Sequence, residues 1–162
     1  MRSQWQQRID ALWDTADDEP ETFLAAVAQL VAELPEDDPV GLFELGGAYD
    51  STGHERRAAH CYRRALAGGL DTSRRRQAVI QLASTLRNLG EPAEGAELLR
   101  AELARDVEDE EAVALHDCAV AFLALCLADL GQERAGLGLV VTALAGRLPR
   151  YRRSLTNYAA EL

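Results

Sequence analysis

The chain has 162 residues, of which 48% are hydrophobic and 27% charged, and this predicts one soluble globular unit with a buried core. Its net charge of −10 opposes binding to a phosphate backbone, so we expect no nucleic-acid partner. All 17 basic residues are arginine, which excludes phosphate loops, Schiff bases and general bases that require a lysine.

The apolar segments and the cysteine count predict where the protein is located and the redox state of its thiols. No run of 18 apolar residues is present to span a membrane, and the first residues lack the apolar core of a signal peptide. The cysteines, at positions 61, 118 and 126, are odd in number, which favours free thiols over a disulfide framework. We therefore expect a cytoplasmic protein with no membrane partner.

Two helices are predicted before residue 39. The first carries Trp5, Ile9, Leu12 and Trp13. The second, over 20–34, has a proline in its first turn and an apolar stripe that includes Phe23, Val27, Leu30 and Leu34. We expect residues 1–38 to form an N-terminal helical hairpin that packs on the rest of the chain.

An internal repeat then appears in three copies, aligned on Gly53, Gly90 and Gly131. Seven columns keep their character in all copies. They are Leu42, Val79 and Val120; Leu45, Leu82 and Leu123; Gly46, Ala83 and Ala124; Tyr49, Leu86 and Leu127; Ala58, Gly95 and Gly136; Tyr62, Leu99 and Val140; and Leu66, Leu103 and Leu144.

The column spacing predicts a pair of helices in each copy. Offsets of three, four, seven and eight residues fall on one helical face, and the glycine ends the first helix. The columns of small residues let the two helices approach closely. Since one hairpin cannot bury its apolar face alone, the copies must stack.

The repeat resembles the tetratricopeptide repeat family, whose pattern is W-x2-L-G-x2-Y…A-x3-F…P. The first copy matches at Leu45, Gly46, Tyr49, Gly53, Ala58, Tyr62 and Ala65. It departs at Leu42, where the family has tryptophan, and at Leu70, where it has proline; Glu102 replaces a small residue in the middle copy. The resemblance covers 39 to about 149.

The resemblance implies an all-α fold, a right-handed superhelical stack of antiparallel helix hairpins with about nine helices. We expect three repeats over 39–148, at 39–72, 76–109 and 117–148. Residues 149–162 are expected to form a C-terminal capping helix, with an apolar stripe of Tyr151, Leu155, Tyr158 and Leu162.

One predicted helix, over 112–130, is apolar on nearly every side and therefore needs cover on every side. Its concave side would carry Ala121, Phe122 and Leu125. Three covers are open: the C-terminal helix, a second copy of the chain, or a ligand peptide. A second copy would make the chain a homodimer and a homo-oligomerisation or structural module.

In the resembled family, the first helix of each repeat lines a concave groove that binds a partner protein or peptide. By register, the groove residues here are Phe43, Gly47, Asp50, Ser51, Gln77, Ile80, Gln81, Ser84, Arg87, Asn88 and Phe122. Their amides, hydroxyl and guanidinium suit an extended peptide, with Arg87 free to bind a carboxylate. A merely solvated helix face is the alternative. Phe43 and Gly47 stand where some members carry a carboxylate clamp, so that clamp is absent.

A basic cluster, Arg74 to Arg76 with Arg63 and Arg64, has two explanations. It is either a docking patch for an acidic partner or a set of ion pairs with the acidic N-terminal turns, 16–19 and 35–38, or with the run 108–111. We expect the ion pairs, because charge runs are usually solvated and weakly paired.

No motif for catalysis, a metal or a cofactor is found, and we expect a protein that is not an enzyme. His54, His60 and His116 lack zinc-ligand spacing. Cys118 and Cys126 are expected to be buried hydrophobic residues, because no base lies on the same helical face. A thiol enzyme is thus the third hypothesis, after peptide binding and self-assembly.

Overall fold

The computed structural model describes residues 2–14, 16 and 20–162, and in these residues the chain forms ten helices and no strand. The helices are α1 (Arg2–Trp13), α2 (Pro20–Val31), α3 (Pro39–Ser51), α4 (Glu55–Gly68), α5 (Thr72–Asn88), α6 (Pro92–Leu103), α7 (Glu110–Ala114), α8 (His116–Asp129), α9 (Glu133–Arg147) and α10 (Arg152–Ala159). None of these helices is long and apolar enough to cross a membrane. The all-α prediction is confirmed, with one helix more than expected.

The helices stack in chain order. Each of α2 to α5 packs on the helix before and after it, and α6 packs on α5 and α8, α8 on α9 and α9 on α10. The first helices of successive hairpins, α3, α5 and α8, also contact one another. They therefore form one continuous side of the stack.

Three apolar clusters fill the part of the stack from α1 to α8. The first surrounds Trp5 and Val27, the second surrounds Tyr62 and Leu82, and the third surrounds Leu99 and Leu123. Because each cluster joins neighbouring hairpins, no hairpin buries its apolar face alone.

The predicted turns are present at Gly53, Gly90 and Gly131, between α3 and α4, α5 and α6, and α8 and α9. All three have positive φ angles of 75°, 79° and 73°. Glycine reaches this left-handed conformation without the penalty of a Cβ, so the three breaks follow from the residue type.

The small-residue columns allow close packing within hairpins, as predicted. A Cβ at Gly95 would lie 3.1 Å from the carbonyl oxygen of Ala83, and a Cβ at Gly136 would lie 2.8 Å from that of Ala124. Only glycine leaves room for the facing backbone at such a separation.

The single helix predicted over 112–130 is wrong, because the chain breaks at Leu115 between α7 and α8. The buried Arg76 side chain donates to the carbonyl oxygen of Ala112 at 2.8 Å. Leu115 N–H bonds to the same carbonyl three residues back, as in a 3₁₀ turn. A side chain that bonds to a ladder carbonyl is a common cause of such a break.

The ends of the chain also differ in detail from expectation. Helix α2 stops at Val31 rather than residue 34, and α10 begins at Arg152 after Tyr151, whose φ is 65°. The predicted stripe of α10 is not its buried face, since Tyr151 and Tyr158 are exposed. The buried residue of α10 is Ala159, which lies against Gly138 of α9. A Cβ at Gly138 would lie 2.9 Å from the carbonyl oxygen of Ala159.

Candidate functional site

A cavity of about 690 Å³ opens along the first helices of the stack. Its walls come mainly from α1, α3 and α5, and Tyr62 of α4 and Glu111 of α7 also line it. We call this cavity the groove. Five of the eight residues predicted to bind a partner line it, namely Phe43, Asp50, Gln77, Gln81 and Asn88, and so do Gly47 and Ser51.

Ser84, Arg87 and Phe122 do not line the groove. The prediction that Arg87 is free to bind a ligand is wrong, because its guanidinium donates two hydrogen bonds to Asp129 of α8. The Nε–Oδ2 distance is 2.5 Å and the Nη2–Oδ1 distance is 3.2 Å. The same hydrogen bond raises the pKa of Arg87 and lowers that of Asp129. Arg87 therefore ties α5 to α8.

Two of the apolar residues of the predicted set, Ile80 and Phe122, face the core. Ile80 is buried beside Leu123, which corrects its prediction as an exposed residue. Phe122 is partly buried against the same cluster. The packing of α5 on α8 takes both side chains away from any ligand.

Carboxylates dominate the charge of the groove. Its lining contains Asp10, Glu44, Asp50, Asp71 and Glu111 against one cation, Arg74. Arg74 is already occupied, because it donates to Asp71 at 2.6 Å and to Gln6 at 2.9 Å. The groove is therefore negative, the opposite of the carboxylate-binding surface expected from Arg87.

Glu44 is buried in the wall between α1 and α3, with an exposed fraction of 6%. Its carboxylate accepts from Trp13 Nε1 at 2.9 Å and from Gln6 Nε2 at 3.5 Å. Among the described residues, none of the ion pairs includes Glu44. Burial raises the pKa of Glu44 above its ordinary 4.5, because the charged form loses hydration.

Asp50 lies two turns further along α3, half-buried. The Thr85 hydroxyl is 3.0 Å from Asp50 Oδ1 and 2.9 Å from the Gln81 carbonyl oxygen. Burial raises the pKa of Asp50, and the charge of Glu55 raises it further. Within the described part of the chain, Asp50 also has no cation at ion-pair distance.

Tyr62 of α4 reaches the groove from behind α3. It is fully buried, and its ring lies against Gly46, where a Cβ would come within 2.8 Å of it. Its hydroxyl has no hydrogen-bond partner among the described atoms and lies 3.8 Å from where a Cβ would stand at Gly47. Burial strongly raises the pKa of this hydroxyl, so it stays protonated.

The basic cluster forms ion pairs, as expected, but with partly different partners. Arg64 pairs with Asp37 of the acidic turn 35–38, and Arg63 pairs with Glu94 at 2.9 Å. Arg75 and Arg76 pair with Glu102 rather than with the run 108–111. The docking-patch explanation is therefore not favoured.

All three cysteines are free. Burial raises the pKa of Cys61 and Cys126, which lowers their thiolate fraction and their reactivity. Cys118 is exposed, so the prediction that it is buried is wrong.

A stack of helical hairpins in which the first helices of two successive hairpins, α3 and α5, line one groove is typical of a helical-repeat protein. The model of the tetratricopeptide repeat family matches residues 39–162, and the chain belongs to that family. Proteins of this family typically serve as non-catalytic modules for protein–protein interaction. Searches of curated proteins and of solved structures give no match. The match runs through α10, and the division at residues 38 and 148 stays a prediction.

Proposed function

We propose that the chain is an interaction module that binds an extended segment of a partner protein in the groove. The observation that carries this proposal is the groove itself, a cavity of about 690 Å³. Gln81 and Asn88 line it and are exposed, so their amides are open to a ligand.

The chemistry of the lining suits a peptide backbone. Each side-chain amide offers both a donor and an acceptor, as each peptide unit does. Gln77, Gln81 and Asn88 lie along one helix at spacings of four and seven residues, so they follow one face of α5. Phe43 on the opposite wall supplies apolar contact area.

Site-specific photocrosslinking in the native cell tests this proposal. A p-benzoylphenylalanine in place of Gln81, inside the groove, should crosslink to a partner. The matched control carries the same group in place of His60, which is exposed on α4 outside the groove. We expect a crosslinked partner from position 81 and none from position 60.

The reverse pattern, or equal crosslinking at both positions, would show that the groove is not the binding surface. Mass spectrometry of the adduct identifies the partner segment. A cytoplasmic partner would accord with the free thiols of the chain.

A second candidate function is self-association through the C-terminal end of the stack. Leu137, Val140 and Leu144 of α9 are 53%, 39% and 53% exposed. Val140 shares its column with Tyr62 and Leu99, which are fully buried in the earlier copies. Leu125 and Val113 are also exposed, and they lie in the stretch 112–130, where a homodimer contact is one of the predicted alternatives. A second copy of the chain would cover these residues in a homodimer.

A further inference from the structure

In the described part of the chain, the negative charges that line the groove outnumber the positive charges. Five carboxylates line it, and its one arginine is already bonded to Asp71 and Gln6. Burying a carboxylate without a cation costs free energy, because the ion loses water and gains no opposite charge. Glu44 and Asp50 both carry this cost, since neither forms an ion pair in the described part of the chain.

We propose that the groove binds a basic side chain, an arginine or lysine of the partner segment, at Glu44 and Asp50 beside Tyr62. This inference rests on the proposed function and names the chemistry of the partner. The cation would donate to the two carboxylates and offset the negative charge of the groove. The backbone of the same segment would bond to the amides of α5.

An unpartnered hydroxyl is the second, independent observation. Tyr62 is fully buried and lines the groove, and its hydroxyl finds no bond among the described atoms. Buried polar groups are nearly always hydrogen-bonded in native proteins, so an exception calls for an explanation. The hydroxyl oxygen can accept from an N–H of the incoming cation.

A metal ion does not fit this site as well as an organic cation does. Among the described residues, no three carboxylate, imidazole or thiol side chains are grouped so that they could hold a metal. The carboxylates that line the groove instead come from several elements, α1, α3, the residue before α5, and α7. The apolar stem of an arginine or lysine would pack beside Phe43 and Trp13.

The protonation behaviour of the carboxyl groups agrees with incomplete charge compensation. Burial raises the pKa of both Glu44 and Asp50, and neither the charge of Arg74 near Glu44 nor the hydrogen bond from Thr85 to Asp50 fully offsets this effect. A bound cation would favour the ionised form of each group.

Selection from a displayed library of random dodecapeptides, with the full chain as bait, tests this inference. We expect the enriched peptides to share an arginine or lysine. The double variant Glu44→Gln, Asp50→Asn should then lower the affinity of a selected peptide at least about tenfold. The control Glu97→Gln removes one exposed carboxylate of α6 outside the groove and should leave the affinity unchanged.

The outcomes separate this inference from the proposed function. Peptides that bind, compete with one another and are blocked by Gln81→Trp, but share no basic residue, would overturn the inference and keep the proposed function. A selection that yields no groove-binding peptide would overturn both.

The melting temperature, measured together with the peptide affinity, distinguishes a binding role of Glu44 and Tyr62 from a purely structural role. Glu44→Gln keeps an oxygen for the Trp13 N–H and removes a buried charge, and Tyr62→Phe removes an unpaired hydroxyl. We expect both variants to keep or raise the melting temperature at neutral pH while they lose peptide affinity. A fall in melting temperature with unchanged affinity would show that the two groups serve the fold alone.

Discussion

Glu102 is buried at a position where the other repeats have alanine, Ala65 and Ala143. Its carboxylate accepts from Arg75 Nε at 3.0 Å and lies 3.5 Å from Arg76 Nε. Arg76 is itself buried and donates to the carbonyl oxygens of Ala112 and Glu102. A single carboxylate thus compensates a buried guanidinium that joins α5, α6 and α7.

We expect Glu102→Ala to lower the free energy of unfolding by about 3–5 kcal/mol, because Arg76 would remain buried without its counter-charge. Urea denaturation followed by circular dichroism measures the change. Glu97→Ala, at an exposed site of the same helix, should change the free energy by less than about 0.5 kcal/mol. Equal effects of the two substitutions would contradict the role assigned to Glu102.

The environment of a residue could be predicted from the sequence where nearby residues determine it, and could not where distant residues do. Helical spacing predicts the apolar columns and the glycine turns, and the turns are confirmed. The columns are buried or partly buried in the first two copies, whereas Val140 and Leu144 of the third copy are exposed. Arg87 was wrongly predicted to be free because its partner, Asp129, is 42 residues away on another repeat. Glu44 was missed for the same reason, since its partners come from α1.

At the scale of helices, glycine sets the distance between the two members of a hairpin. Gly136 faces the backbone of Ala124 so closely that a Cβ would approach its carbonyl oxygen to 2.8 Å. Gly146, on the same helix, has no atom within 4 Å of the corresponding position. Substitutions at Gly136 and Gly146 therefore distinguish the effect of packing from that of helix propensity.

Gly136→Ala should lower the free energy of unfolding by about 1–3 kcal/mol, because the facing backbone must move apart. Gly146→Ala should raise it by about 0.5–1 kcal/mol, because alanine restricts the unfolded chain and favours the helix. Thermal unfolding of both variants checks the prediction. Two shifts of the same sign would show that close approach does not limit this hairpin.

The order and type of the helices could be predicted from periodicity, but some boundaries could not. The break at Leu115 depends on Arg76 of α5, whose guanidinium bonds to the Ala112 carbonyl across the stack. The start of α10 depends on a left-handed residue, Tyr151, which no glycine marks. Both features arise from tertiary contacts or local backbone choices that spacing does not encode.

At the scale of the whole molecule, the stack is covered unequally at its two ends. Tryptophans of α1 cover the first cluster, whereas the outer face of α9 keeps Leu137 and Leu144 half exposed. In the earlier hairpins, helices at this position are covered by the next hairpin. Here α10 packs on α9 around Gly138, and Leu137 and Leu144 stay half exposed.

If a second copy covers this face, light scattering should give the mass of a dimer at micromolar concentration. Leu144→Glu should then give a monomer, because a charge in an apolar interface opposes its burial. His60→Glu, an exposed change on α4, is the matched control and should leave the dimer intact. A monomeric wild-type chain would exclude the second candidate function.

The overall shape was predictable because a solenoid needs only contacts between successive hairpins. The groove was predictable only in part, since α3 and α5 carry the predicted residues whereas α1, outside the repeats, supplies Gln6, Asp10 and Trp13. Its negative charge depends on which acids these walls bring together.

The position of Glu44 links the N-terminal helix to occupancy of the groove. A carboxylate offers about four acceptor sites, and α1 uses two of them, through Trp13 and Gln6. A cation that takes the remaining sites would favour the ionised form of Glu44, which accepts hydrogen bonds from both α1 donors more strongly than the neutral acid does, so ligand and helix would reinforce each other. By thermodynamic reciprocity, a change that disrupts the packing of α1 would weaken ligand binding by the same factor by which the ligand stabilises that packing.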